Sequence, residues 1–200
     1  MKASICIPLF NASPWIAQTL RSVIRQASKG DEIILVDDHS TDDSVPKART
    51  ILEASDISFK LAQNQKKGAC AARNQALKMS SGELIQWLDA DDFLGDRKVE
   101  RAKTHLKQFP NQILACPWHP FEDNIHTGLR TDDVNWKVVP DFSSPSDWLA
   151  RDTFMGLHCY AGHRSLFEKA GPWDESLTIN QDGEYFARVI AQSSGVHFTM

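Results

Sequence analysis

Two hundred residues, 42% of them apolar and 24% charged, suffice for one sizeable domain with its own core. That composition excludes a disordered tail, a collagen-like repeat and a disulfide-stapled miniprotein. A net charge of −4 with no basic run excludes general nucleic-acid binding, which needs phosphate-neutralising charge.

Ser4–Leu9 reads as a first strand. Ser13 and Pro14 then look like an N-cap and first helical position, and Ile16, Leu20, Val23, Ile24 and Ala27 recur at helical spacing up to Gly30. Glu32–Val36 is continuous and β-branched, as strands buried on both faces are. Asp42–Ala54 follows as a helix with Asp42 and Asp43 as its capping residues and Pro46 near its start. Next come a strand at Ile57–Leu61, a helix at Ala69–Met79 closed by Ser80-Ser81-Gly82, a strand at Glu83–Leu88 and a helix at Arg97–Lys107. This alternation predicts a parallel sheet covered by helices on both faces, with ligands at the carboxyl ends of its strands.

Beyond residue 110 the pattern loosens. Ile113–Trp118 reads as a fifth strand, and residues 119–145 as loop or hairpin with Trp136–Val139 as one of its strands. Short helices are expected at Pro145–Arg151, with Ser144 or Ser146 near its start, and at Arg164–Ala170, ended by Gly171-Pro172. Asp182–Gln192 is a last helix and Val196–Thr199 a last strand. With no repeat and no linker, the simplest organisation is one domain over 1–200, with a first half to residue 110 and a second from 111.

Cys6, Cys70, Cys116 and Cys159 are widely spaced and form no CxxC pair, so they read as free thiols in a reducing, cytoplasmic setting. The opening Met1 to Pro8 is too short to be a signal peptide, and no run approaches the roughly 20 apolar residues of a membrane helix. Peripheral contact with a membrane stays open.

Acidic residues collect where that sheet would present them. Asp37-Asp38 follow the second strand, Asp89-Ala90-Asp91-Asp92 follow the fourth, and Gln181-Asp182-Gly183-Glu184 opens the last helix. Asp after a strand is also an ordinary turn former, and Asp in a first helical turn is favoured by the dipole. That plainer account suffices for Asp42 and Asp43 and competes evenly at Asp37-Asp38 and Asp182. It fails at residues 89–92, where three carboxylates in four residues exceed any capping need. Crowded carboxylates repel unless a cation sits among them, and hard oxygen ligands suit Mg2+ or Mn2+ that keeps phosphate in its shell.

Six segments, in this order, carry a resemblance. They are Ser4-Ile5-Cys6-Ile7-Pro8-Leu9-Phe10-Asn11, Leu35-Val36-Asp37-Asp38-His39-Ser40-Thr41-Asp42, Gly68-Ala69-Cys70-Ala71-Ala72-Arg73-Asn74-Gln75-Ala76-Leu77 and Trp87-Leu88-Asp89-Ala90-Asp91-Asp92. Phe167 to Glu175 and Gln181 to Arg188 complete the set. Together they resemble the family 2 glycosyltransferases. The resemblance implies a GT-A fold: a Rossmann-like, mostly parallel sheet with helices on both faces and a smaller acceptor-side region. It implies an inverting transfer from a nucleotide-diphosphate sugar, most often a UDP-sugar, to a glycan or lipid-linked acceptor. By position, Pro8 and Phe10 line the base pocket, Asp38 accepts from uracil and Asp37 holds the loop. Gly68 and Arg73 close the nucleotide side, Asp89 and Ala90 lie by the ribose and sugar, Asp91 with Asp89 holds the metal, and Asp182 is the base.

The chain departs from the family in carrying Gln181 where an acid often precedes the base, which leaves Glu184 as an alternative base. It lacks the Gln-x-x-Arg-Trp motif of processive synthases and stops where family members often continue, as a short form or fragment would. His158 and His163 are candidates for reaching the metal or diphosphate, although such histidines are more often structural or solvated, and Trp118, Trp136 and Trp148 are candidates for an acceptor platform, for which core packing is at least as good an account. A receiver domain leaves the Asp182 segment unexplained, and a nicotinamide dehydrogenase needs a Gly-x-Gly-x-x-Gly absent after the first strand. The remaining rival is a catalytically inactive nucleotide-sugar-binding protein of the same fold.

Overall fold

The computed structural model describes residues 1–120, 136–151 and 155–199. Its strands are β1 (Ala3–Leu9), β2 (Glu32–Asp37), β3 (Ser58–Gln63), β4 (Leu84–Trp87), β5 (Gln112–Ala115), β6 (Phe142–Ser143), β7 (Tyr160–His163) and β8 (Gly195–Phe198). Its helices are α1 (Ile16–Ile24), α2 (Ser44–Glu53), α3 (Ala69–Met79), α4 (Lys98–Gln108), α5 (Pro145–Leu149), α6 (Arg164–Ala170) and α7 (Gln181–Ala191). The strands form one sheet in the order β3-β2-β1-β4-β7-β5-β8-β6.

β1 pairs in parallel with β2 on one side and β4 on the other, and β2 with β3. The chain therefore reverses its winding between β1 and β4, and the crevice at their carboxyl ends is the topological switch point. β7 enters antiparallel between β4 and β5 and joins the two halves of the sheet. β8 extends it in parallel with β5, and β6 caps that edge antiparallel.

Alternate residues of the central strands feed two cores. Ile5, Ile7, Leu9, Ile33, Leu35 and Leu84 pack under α1, α2 and α4 through Ile16, Leu20, Leu52, Val99 and Leu106. Cys6, Ile34, Val36, Ile85 and Trp87 pack under α3, α6 and α7 through Ala72, Ala76, Phe167, Tyr185 and Val189. All six residues of β2 are buried, which is why that strand reads as a continuous apolar run rather than an alternation. Trp87 is the hub of the second core, with edge-on contacts to Phe167, Trp173 and Tyr185.

Several expected boundaries move. Ser13 and Pro14 lie in a turn before α1, Trp15 holds the N-cap position without a side-chain bond, and the helix ends at Ile24, well short of Gly30. Asp31 closes that connection instead, its carboxylate accepting from the Ser28 and Ala3 amides. Asp42 does cap the start of α2, accepting from the Ser44 amide, whereas Asp43 makes no capping bond. Trp136–Val138 is a 3-10 turn, not a strand, because Trp136 is buried against Phe198, with ring centres 5.9 Å apart. β5 stops at Ala115, ahead of Pro117, which has no amide hydrogen to continue a ladder. The rest of the expected hairpin, residues 121–135, lies outside the described residues. Among the described residues no helix is long and apolar enough to cross a membrane.

Candidate active site

The site grows from the carboxyl ends of β1, β2 and β4. Beyond β2, Asp38 is buried and its amide donates to the Leu9 carbonyl of β1. Its carboxylate accepts from the Gly68 amide at 2.9 Å and 3.0 Å and from Asn64 Nδ2 at 2.7 Å. Asp37 accepts from the Ser40 amide and so holds the turn that follows it. The loop after β1 is stitched to the same turn, with the Asn11 amide donating to Ser40 and the Thr41 amide to Asn11. Pro8 lies within β1 opposite Val36, and Phe10 projects just past its end, 52% exposed. An exposed aromatic ring at a sheet switch point is a ready stacking surface for a planar ligand.

The loop after β4 is held from below by polar residues of α1 and of the turn that follows it. Thr19 donates to the Ala90 carbonyl at 2.8 Å, the Leu94 amide donates to Ser22, and Gln26 donates to the Leu94 carbonyl. Thr19 and Ser22 are buried, and they interrupt the apolar face of α1 where the acidic loop must be fastened.

Arg73 of α3 organises the centre. It is 94% buried by its 6% exposure, stacked at 4.7 Å over the Trp173 ring, and it donates to Asp89 at 3.1 Å and to Gln181 at 2.9 Å. Gln181 in turn donates through Nε2 to the Leu177 carbonyl. The amide of Gln181 thus accepts on one side and donates on the other, which a carboxylate in its place would not do.

Asp182 follows at the start of α7, with Oδ2 accepting from the Leu157 amide at 3.0 Å. Burial pushes its carboxyl above the usual range, Arg73 draws it back down, and nearby Asp89 adds to the rise. The Leu157 amide belongs to a short 3-10 turn, and the next residue, His158, bonds Asp92 through Nδ1 at 2.8 Å. Burial opposes charge on His158, yet its bonds to Asp92 and Cys159 hold its pKa well above the ordinary value. Gly156 makes room for this ring, since a Cβ there would lie 3.1 Å from it. Asp91 is raised as well, first by burial and then by its neighbours Asp92 and Asp89. Two chains of contacts therefore tie the acidic loop to α7: Asp89–Arg73–Gln181, and Asp92–His158 with Leu157–Asp182.

The structure groups Arg73, Asp89 and Asp182, through the Arg73–Asp89 bond and the influence of both on the Asp182 carboxyl, and sets Asp91 beside Asp89 and Asp92 on a different cavity from the one Asp182 lines, with Asp37, Asp38 and Gly68 as a separate group at the end of β2. Glu184, the alternative base, is engaged by Arg188 through both carboxylate oxygens. Asp174 caps its own turn through Ser176, and Glu175 binds Asn74 and Lys66. His163 caps α6. Trp136 and Trp148 are buried in the second core, and Trp118, half-buried against that core, lines a cavity of about 520 Å³ beside Asp91, Asp92 and His158. Sequence reasoning missed the Leu157 amide and Asn64, for which no local signal exists. His158 was recognisable as a candidate, but its partner Asp92 was not.

An acid-lined crevice at the switch point of a mostly parallel sheet, with an antiparallel strand wedged beside β4, defines the GT-A class of fold. Solved structures share it. S. aureus TarS 1-349 in complex with UDP-GlcNAc superposes with a TM-score of 0.80 at 18% identity, over 100% of this chain and 56% of that one. Mannosyltransferase PcManGT from Pyrobaculum calidifontis, in complex with GDP-Man and Mn2+, gives 0.74 at 19% identity, over 99% and 54%. The family model of glycosyl transferase family 2 matches residues 4–171, and the chain belongs to that family. Curated relatives include the Escherichia coli UDP-Glc:alpha-D-GlcNAc-diphosphoundecaprenol beta-1,3-glucosyltransferase WfgD, 41% identical over 98 residues, which are 48% of this chain and 38% of the relative. The uncharacterized glycosyltransferase EpsJ of Bacillus subtilis is 28% identical over 186 residues, 91% of this chain and 54% of the relative. The chain spans less than two thirds of the length of these relatives.

Proposed function

We propose that this chain transfers a sugar from a UDP-sugar to a hydroxyl of a glycan or lipid-linked acceptor, with inversion, and that Asp182 is the general base. The observation that carries this reading is the placement of Asp182. It is a carboxyl raised by burial, held on one oxygen by the Leu157 amide, and close enough to the Arg73–Asp89 pair to feel both charges. Inversion needs a base on the acceptor side and charge stabilisation on the leaving-group side, and the two lie on different elements here. Asp182 takes the proton of the attacking hydroxyl. Arg73 holds Asp89 beside the donor sugar and lends positive charge to that side. Phe10 and Pro8 stack against the base, and the Asp38–Gly68 bond shapes the backbone that the nucleotide lies on.

Among the described residues no three His, Cys, Asp or Glu side chains gather into a self-sufficient metal site. The carboxylates present still suit Mn2+ or Mg2+. A metal that rides on a diphosphate needs only one or two protein carboxylates. Asp91, crowded by Asp89 and Asp92 and raised in pKa, is the carboxyl that gains most from a cation, whereas Asp89 is already paired with Arg73. A metal bound there supplies neutralisation of the departing diphosphate. Four free cysteines fit a reducing compartment, and we place the chain in the cytoplasm, with the acceptor at the inner membrane face.

Calorimetry with UDP and Mn2+ tests the donor half. Asp91→Ala and chelation should each weaken UDP binding at least tenfold, and unchanged affinity refutes the metal assignment. Asp182→Asn should lower glycosyl transfer or UDP-sugar hydrolysis by about 10²–10⁴-fold while UDP still binds. Retained turnover moves the base elsewhere, and tight UDP binding without any turnover in the parent chain identifies a binding protein instead.

A further inference from the structure

Asp182 lines a cavity of about 320 Å³, separate from the one beside Asp91, walled by Trp148, Tyr160 and Phe186 and lined by Arg151. Among the described residues, Asp182 and Arg151 are the charged ones that line it. Asp182 is already held by the Leu157 amide. Arg151 is not compensated in the same way: among the described residues its Nε is buried without a hydrogen-bond partner. Its guanidinium stands 5.9 Å from the Trp148 ring, against an apolar wall. A buried N–H without an acceptor costs stability that an anionic ligand offsets, and the planar guanidinium fork matches phosphate oxygens. Two exposed aliphatic side chains lie at or next to the cavity. Leu149 lines it while 45% exposed, and Ile179, 80% exposed, directly precedes the lining residue Asn180.

A ligand that answers all three features carries a hydroxyl, a phosphate and an apolar tail. We propose that Arg151 is the acceptor-selecting residue and binds the phosphate of a glycosyl-phosphate acceptor whose hydroxyl reaches Asp182 in this cavity. The inference rests on Asp182 being the base, and it names the acceptor class that base serves. The acceptor in the printed name of the E. coli relative, a sugar diphosphate on undecaprenol, belongs to this class.

The test uses the full chain saturated with UDP and Mn2+, so that the donor diphosphate site is filled. Glucose 1-phosphate, methyl glucoside and methyl glucuronide are titrated in turn while the arginine Nε–H signals are followed by NMR, with the Arg151 signal assigned from its loss in Arg151→Gln. Glucose 1-phosphate should move that signal saturably and methyl glucoside should not. Arg151→Gln should weaken glucose 1-phosphate binding at least tenfold, and Arg151→Lys, which keeps the charge without the fork, by less. No shift, an equal shift with the neutral glycoside or the glucuronide, or undiminished binding in Arg151→Gln overturns the assignment. If UDP does not bind, the donor reading fails, and the same titration without UDP still reports on Arg151.

Discussion

Gly68 stands at φ +129°, ψ 143°, a conformation that costs any other residue of order 1–3 kcal/mol, and its amide is the one Asp38 holds. A Cβ there meets no atom within 4 Å, so the constraint is the backbone and not crowding. Gly68→Ala should therefore lower stability by about 1–3 kcal/mol and weaken UDP binding with it, measured by denaturant unfolding and calorimetry. Asp182 yields a pH prediction. Only its ionised form accepts a proton, and burial raises its pKa, so turnover should climb with pH through a midpoint above the usual carboxylate range. At the opposite end of the sheet Glu32 behaves in the contrary sense. Burial alone would raise it, but bonds from Ser4, Lys2 and the Ser81 amide and hydroxyl pull it down to about 2. A lowered folded pKa means that its contribution is complete above about 4.5 and is lost as pH falls towards 2. Glu32→Gln should flatten the acid limb of the stability curve over that window, read from unfolding midpoints against pH.

At the scale of elements, α3 is the bracket of the site. Arg73 and Asn74 are consecutive on it and face different tasks. Asn74 donates to the Trp173 carbonyl and accepts from the Trp173 amide at 2.8 Å, fastening the loop that follows α6. Trp173 then lies flat on Tyr185 of α7, with ring centres 3.8 Å apart, and under the guanidinium of Arg73. Asn74→Ala leaves both backbone groups of Trp173 buried and unpaired, so it should cost about 1–3 kcal/mol in unfolding free energy. It should also lower turnover without touching any reacting group, because Arg73 loses its stacking surface. α3 and α6 were readable residue for residue, since helical spacing and the flanking Ser80-Ser81-Gly82 and Gly171-Pro172 are local signals. β7 was not readable. Tyr160-Ala161-Gly162-His163 has no β-branched run, and it is a strand only because β4 and β5 present free edges on both sides. Gly162 is needed there because a Cβ would lie 2.7 Å from Ile113 Cδ1.

For the whole molecule, β7 decides the working geometry. By zipping β5 and β8 onto β4 it brings the second half of the chain to the switch point, and the 3-10 turn just before it supplies both the amide for Asp182 and the imidazole for Asp92. The acidic loop and α7, some ninety residues apart in sequence, are thereby tied together through Arg73 and through the turn that carries His158. Arg73 and His158 sit between carboxylates that would otherwise repel one another, which holds the crevice together before any cation arrives.

The sequence by itself determined the first four strands and the helices between them, the acidic sites at their ends and the family. These features are written in local periodicity, turn chemistry and short motifs, each carried by a few adjacent residues. Only the tertiary structure decided that Arg73 bridges Asp89 and Gln181, that burial outweighs the other influences on Asp182, and that His158 pairs with Asp92. Such facts depend on contacts between residues tens of positions apart and on how much water each group keeps, and both are properties of packing, which no stretch of chain specifies alone.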